Sequence, residues 1–260
     1  ATIPQGDGFA SFSIASTTGA LKISGKTADG QAILFSTFVG PGGEVGLFKT
    51  LYTTSNRGSL LGTLTISATT PAEQNLLGGT VSWSRPALPV TSKERAYKDG
   101  FGVANPVSLS AIGGRYVAPV SPAVILGIDI GVNPTDNATL EFVGANVGTP
   151  APSPDINVTV IAGSKLSLPL SGGPLNLRKT SLAVSPTTGA ISGKFTIVEA
   201  NPLFPTTNVT RSVAYQGLIV RDVTGQHGRG YFLLPQLPSI SPETPTTTKI
   251  LSGLVTFDKQ

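Results

Sequence analysis

The sequence contains no cysteine and no methionine, and it is poor in charge. Without cysteine, disulfides and thiolate metal sites are excluded, so stability must come from packing and hydrogen bonds. Only 12% of the 260 residues are charged, which is about half the usual fraction. Because translation starts with methionine and none is present, we expect that a leader has been removed before Ala1, most commonly a secretory signal.

The charges that are present do not form a basic surface. The net charge is +4, and the densest basic stretch, residues 93–98, is interrupted by Glu94 and followed by Asp99. We therefore expect no nucleic acid partner. No hydrophobic run approaches the roughly 18 residues of a membrane-spanning helix, so we expect no membrane span.

The residues that are abundant favour strands over helices. Glycine (31 residues) and proline (21) break helices, and many of the other residues are serine or threonine. Apolar and polar residues alternate over short runs, for example where Leu21 and Ile23 alternate with Lys22 and Ser24. Turn signals separate these runs at Gly19, at Asp29 and Gly30, at residues 41–43 and at residues 56–58. Short strands at this spacing predict an antiparallel sandwich or barrel.

Four segments of the N-terminal part recur in the same order near the C-terminus. The intervals between successive copies are nearly equal, which chance matches would not produce. We infer an internal duplication, with one repeat unit at residues 9–86 and the other at residues 179–260. The matched segments are 17–20 with 187–190, 23–26 with 191–194, 57–61 with 229–234, and 77–83 with 251–257.

The sequence therefore predicts an all-β protein of two tandem, internally duplicated antiparallel β-barrel or sandwich domains. The first domain spans residues 1–120 and contains one repeat unit with an extension that adds a strand within residues 97–116. The second spans residues 121–260, and its additional strands are predicted at 124–130, 139–143, 156–161 and 165–170. Prolines between 119 and 122 mark the boundary.

Few residues suggest chemistry. His227, the single histidine, lies between glycines and is interpreted as an exposed turn residue rather than as a general base or metal ligand. The 14 acidic residues are scattered singly, so paired carboxylates of the glycosidase type are a weak alternative. Residues 129–136 with Asn137 and Glu141 offer oxygen ligands but lack the pattern of a calcium loop. We predict no catalytic, metal or cofactor site.

Two further features are left open. Trp83 alternates with Val81 and is expected in the core, whereas exposed aromatics around Tyr97, Tyr116 or Tyr231 would suit stacking on sugars. Asn137, Asn157 and Asn208 begin N-x-Thr sequons, which are frequent by chance in threonine-rich chains, so glycosylation at these three residues stays open.

Glycine and aromatic residues recur at turns in a pattern that resembles a known bacterial module. Together these segments are similar to a β-module found near the C-termini of large secreted or surface proteins of environmental bacteria. The resemblance implies an extracellular, non-enzymatic role and assigns no functional residues. The segments that carry it are 58–65, 78–86, 100–101, 114–119, 188–195, 215–219 and 230–233.

The functional expectation is a secreted structural protein, not an enzyme, that assembles with copies of itself at the cell surface or in an extracellular filament. Low charge and strands with exposed edges motivate it, because edges can add strands from a neighbour. The alternative is an extracellular module for adhesion or for binding a cell-surface glycan.

Overall fold

A computed structural model describes residues 2–52, 57–68, 75–148 and 152–260. Within these ranges the protein is all-β, with antiparallel strands and no α-helix, as the sequence predicts. The strands are β1 (Phe9–Ile14), β2 (Ala20–Lys26), β3 (Ala32–Phe38), β4 (Glu44–Leu51), β5 (Gly58–Ser67), β6 (Leu76–Ser84), β7 (Val107–Gly114), β8 (Ala138–Gly144), β9 (Ile156–Ile161), β10 (Lys165–Ser167), β11 (Ser181–Val184), β12 (Ala190–Asn201), β13 (Phe204–Asp222), β14 (Gly225–Pro235) and β15 (Ile250–Lys259).

The strands form three sheets in the described part of the chain. One sheet has the order β1-β2-β3 and another has the order β4-β5-β6-β7. The third has the order β10-β9-β8-β15-β14-β13-β12-β11 and curls into a nearly closed barrel. Most neighbours in each sheet are consecutive in sequence because short turns join them, which favours antiparallel pairing.

Each half of the chain has its own hydrophobic core, and strands β14 and β15 serve both. Phe232, Leu234 and Leu251 point into the barrel, whereas Tyr231 and Ile250 pack against the core of the first two sheets. This is the alternation of a strand with two covered faces, since neighbouring side chains point to opposite sides. The proposed boundary at residue 120 stays a prediction, but buried contacts cross it.

Hydrogen bonds join the two halves at several places, of which three lie along β14 and β15. The β2–β3 turn reaches β15, where the Ser252 hydroxyl donates to the Ala28 carbonyl at 2.5 Å. The Ser252 N–H donates to the Tyr97 hydroxyl at 2.8 Å. The N-terminal segment runs beside β14, and the Asp7 N–H donates to the Gly230 carbonyl at 3.1 Å. Polar groups at the junction are therefore paired, as burial requires.

The turns occur largely where the sequence places them. At residues 40–44 the Gly43 N–H donates to the Gly40 carbonyl at 3.0 Å, and Gly43 has φ +86°, a value that favours glycine. The predicted turn at Asp29 and Gly30 is present and also includes Ala28, since the Thr27 N–H donates to the Gln31 carbonyl at 2.9 Å. Of the predicted turn at 56–58, Asn56 lies outside the described residues.

The predicted strand at residues 124–130 is wrong. The segment contains a short 3-10 turn at Ile125–Gly127, and Leu126 has φ +63°. The N–H groups of Ile125 and Leu126 bond to the side chains of Ser164 and Gln226 rather than to a strand. Val124, Ile125 and Leu126 are buried in the barrel core, so their apolar run fills the barrel instead of extending its wall.

The first hairpin of each proposed repeat has the same geometry. Ser11 pairs with Ser24 in β1–β2, and Ser181 pairs with Lys194 in β11–β12, so the two registers coincide at a shift of 170 residues. The turns also match, because Gly19 N–H donates to the Ala15 carbonyl and Gly189 N–H donates to the Ser185 carbonyl. The two hairpins therefore match at segments 17–20 and 187–190, whereas segments 23–26 and 191–194 are offset by two residues in this register.

The later matched segments do not superimpose in register. Leu60 of β5 lies opposite Trp83 of β6. In the C-terminal half, the matched strands are β14 and β15, and Phe257 lies opposite Gly228 rather than opposite Phe232. The pairing thus differs by four residues, and the structure does not show the duplication.

Candidate functional site

His227 lies in strand β14, opposite Val220, and not at a hairpin tip. Its Nδ1 is 2.9 Å from Asp258 Oδ1, and its Nε2 is 2.8 Å from Thr224 Oγ1. The side chain is 22% exposed, so the interpretation as an exposed turn residue is wrong. Asp258 is 31 residues away in sequence and reaches His227 only because β15 pairs with β14.

The order carboxylate, imidazole, hydroxyl is that of a hydrolase triad, but the surrounding bonds favour a structural role. Thr224 Oγ1 donates to Asp222 Oδ1 at 2.6 Å, and the N–H groups of Thr224 and Gly225 donate to the same oxygen. Backbone donors that could stabilise an oxyanion are therefore occupied. These bonds lower the pKa of Asp222. Through His227 the cluster links Thr224 of the β13–β14 turn to Asp258 of β15.

A second polar cluster is buried in the first core. Asp29 Oδ2 accepts from Arg85 Nη1 at 2.7 Å and from the Tyr52 hydroxyl at 2.8 Å. The Thr27 hydroxyl donates to Asp29 Oδ1 at 2.5 Å. The Trp83 indole N–H donates to the Tyr52 hydroxyl at 3.1 Å, and Trp83 is only 2% exposed, which confirms its expected place in the core. Water has no access to this ion pair, so we assign it to stability.

A shallow groove on the barrel collects several carboxylates. It has a volume of about 270 Å³, and its wall includes Asp136, Glu141, Asp155 and Asn157. Asp155 Oδ1 already accepts from the Phe142 N–H at 2.7 Å and from the Ser153 hydroxyl. The groove thus offers oxygen acceptors at a partly apolar surface.

The segment considered for calcium does not converge on a cation site. Asp129 Oδ1 accepts from the Gly131 N–H at 3.0 Å, which closes a local turn. The Asn137 amide is buried, and it donates to the carbonyls of Asn133 and Val160 and accepts from the Val160 N–H. Among the residues described, no group of three or more acidic or histidine side chains is placed to hold a metal ion.

The tyrosines proposed for sugar stacking are not exposed together. Tyr97 and Tyr231 are buried, so the prediction of an exposed platform at these two residues is wrong. The Tyr116 hydroxyl donates to the Pro186 carbonyl at 2.7 Å, and its ring packs against the barrel core. Their rings are used for packing because they occupy inward positions of the strands and loops that close both cores.

The three sequons differ in accessibility. Asn137 is 1% exposed, and all three polar contacts of its amide are internal, so the folded protein cannot accept a glycan there. Asn157 and Asn208 are exposed on β9 and β13.

The outward side of strands β3, β4 and β5 carries large exposed apolar side chains, a feature the sequence reading missed. Leu34 and Phe38 are each 67% exposed, Phe48 is 64% exposed and Leu61 is 56% exposed. Phe48 lies directly opposite Leu61, which places these two side chains on one face of the sheet. We name Phe48 and Leu61 the β4–β5 apolar face, since Leu34 and Phe38 belong to the separate β1-β2-β3 sheet. The sequence did carry a signal for this feature, because apolar residues occur in these strands at the outward as well as the inward positions of the alternation.

No helix in the described ranges is long and apolar enough to cross a membrane. Comparisons with protein-family models, with curated proteins and with solved structures found no match.

Proposed function

We propose that this protein is a secreted structural protein that assembles with copies of itself at the cell surface or into an extracellular filament. The observation that carries the proposal is the β4–β5 apolar face. Large apolar side chains that point out of a sheet together are typical of surfaces that bind another protein. The role proposed is non-enzymatic.

The chemistry of this face favours a second copy of the chain as its partner. Phe48, Leu61 and the neighbouring outward residues Gly46 and Thr63 are uncharged. An uncharged surface is best covered by another uncharged surface, and a second copy supplies one with the same residues. Charged residues are only 12% of the chain, so few charges oppose close packing between copies.

The test is a pair of substitutions on this face with a matched control. Phe48→Ser combined with Leu61→Ser should abolish assembly seen by negative-stain electron microscopy and light scattering, because the buried apolar area is lost. Val132→Ser combined with Val223→Ser removes two exposed apolar side chains that lie elsewhere in turns, and assembly should persist. Unchanged assembly of the first variant would refute the role of this face.

We further propose that the two halves arose by duplication of one β-unit, with domains at 1–120 and 121–260. The shared register of the β1–β2 and β11–β12 hairpins supports this. A hairpin with a short turn keeps its register unless residues are inserted in it, so it is the segment of a repeat in which common pairing persists longest. Later strands diverged in register. The resemblance to modules of large secreted bacterial proteins fits the same extracellular role.

A second candidate function is binding of a cell-surface glycan in the carboxylate groove. Sugar hydroxyls donate to carboxylate and amide oxygens, and Glu141, Asp136 and Asn157 supply such acceptors. Glu141→Gln should weaken binding on a glycan array, whereas Asp99→Asn, on an exposed turn of the other half, should not. Equal binding by both variants, or no binding by the native protein, would exclude this function.

A further inference from the structure

Strand β13 is much longer than the ladder it forms with β14. β13 spans 19 residues, Phe204–Asp222. It pairs with β12 along most of this length, but its pairing with β14 stops at Tyr215 opposite Phe232. No strand of the described chain pairs with residues 204–214 on the side that β14 has left.

Strand alternation identifies the backbone groups that this leaves free. The Ile219 N–H donates to the Gly189 carbonyl, on the β12 side. Since neighbouring residues in a strand direct their peptide groups to opposite sides, Thr210, Ser212 and Ala214 direct theirs away from β12. All three residues are exposed. We name residues 208–214 the free β13 edge.

Residues 208–214 lack the features by which proteins protect open edges, and the nearest such features, Pro205 and a ladder irregularity at Ala200 and Asn201, lie beyond them. Natural edges carry outward lysines, prolines or bulges, because an unprotected edge is a template for another strand. The outward side chains here are uncharged, namely Asn208, Thr210, Ser212 and Ala214. Arg211, the only charged residue of the edge, points inward, where it pairs with buried Glu199 and donates to the Pro235 carbonyl.

We infer that the free β13 edge pairs antiparallel with the same edge of a second copy of this chain. Two identical antiparallel edges related by a two-fold axis satisfy each other's N–H and C=O groups. The uncharged outward side chains allow close approach, and Glu199 neutralises the inward charge of Arg211. The pairing would join two barrels by one continuous sheet. This inference rests on the proposed self-assembly and names a contact in it that is separate from the β4–β5 apolar face.

The test is Ser212→Pro in the full-length protein, measured by sedimentation velocity over a range of concentrations. Proline removes the outward N–H, and it is tolerated where a strand N–H faces solvent. At a two-fold contact the loss counts twice, so the dissociation constant of the dimer should rise about tenfold or more. Circular dichroism and Trp83 fluorescence check that the variant is folded.

A second pair of variants keeps the test decisive if proline disturbs folding. Ser212→Lys places a charge on the free edge and should also dissociate the dimer. Ser192→Lys places the same charge on the outward face of β12, where Ser192 has strand neighbours on both sides, Ala183 and Gln216, and the dimer should persist. If the native protein assembles and Ser212→Pro and Ser212→Lys still form dimers, the edge contact is refuted but the proposed self-assembly is not. Native protein that stays monomeric at every concentration overturns the proposed function and this inference with it.

Discussion

The substitution Asp29→Asn should destabilise the first core far more than an equivalent change at the surface. The Asp29 side chain is fully buried and is the counter-ion of Arg85, itself 3% exposed. Asparagine keeps the shape and one acceptor oxygen but removes the charge, so the Arg85 guanidinium is left buried and uncompensated. Breaking a buried ion pair from one side costs about 3–5 kcal/mol.

The hydrogen bonds point in the same direction. Asp29 Oδ2 accepts from both Arg85 Nη1 and the Tyr52 hydroxyl, whereas Oδ1 accepts from Thr27. An amide presents an NH₂ group to one of these two sets, where it meets another donor. At about 2–4 °C per kcal/mol for a chain of this length, the melting temperature should fall by roughly 6–20 °C.

The assay follows urea unfolding by tryptophan fluorescence and by far-ultraviolet circular dichroism. Trp83 is the only tryptophan, and it donates to Tyr52 inside the same cluster, so its emission reports this core directly. The control is Asp258→Asn, because Asp258 pairs with Arg229 and His227 at a partly exposed site, about 29% accessible. An ion pair that water reaches is worth about 1 kcal/mol or less.

Two outcomes would refute the reasoning. The first is a loss of less than about 1 kcal/mol for Asp29→Asn, or a loss equal to that of Asp258→Asn. The second outcome concerns the double variant Asp29→Asn with Arg85→Met. Because methionine removes the buried, unpaired guanidinium, this variant should regain part of the lost free energy of unfolding. A double variant that is less stable than Asp29→Asn would show that packing, not charge, sets the cost.

Two further predictions follow from buried polar groups. Burial raises the pKa of all five tyrosines above 10.0, for Tyr231 to about 12. The pKa of each tyrosine is higher in the folded than in the unfolded protein, so ionisation favours unfolding. The free energy of unfolding is therefore unaffected below pH 10 and falls as the pH rises towards 12. For Tyr231 alone the loss is about 2 kcal/mol by pH 12. Absorbance at 295 nm should rise only with unfolding, and gradual ionisation of folded protein near pH 10 would contradict it. Asn137→Ala should cost about 2–4 kcal/mol in chemical denaturation, because the buried N–H and carbonyl groups of Val160 both lose their bonds to the Asn137 amide. Asn157→Ala, at an exposed site, should cost under 1 kcal/mol, and equal losses would refute the role of Asn137.

Local pattern determined much of the fold. Alternation indicated β2, the strands predicted at 139–143 and 156–161 correspond to β8 and β9, and the recurrence of residues 17–20 at 187–190 identified two hairpins of equal register. These features depend on neighbours in sequence: a strand's two faces, or a glycine with positive φ at Gly43. For the same reason the all-β class follows from the sequence alone.

Only the tertiary structure decided the features that join residues far apart. The apolar run at Val124, Ile125 and Leu126 is compatible with a strand of the barrel wall or with a segment that fills the barrel. Tertiary packing places it inside the barrel. His227 meets Asp258, and Asp29 meets Arg85, through pairings between strands that no local pattern specifies. The free β13 edge likewise exists because β14 diverges from its neighbour after Phe232, and that divergence is set by how the sheets pack.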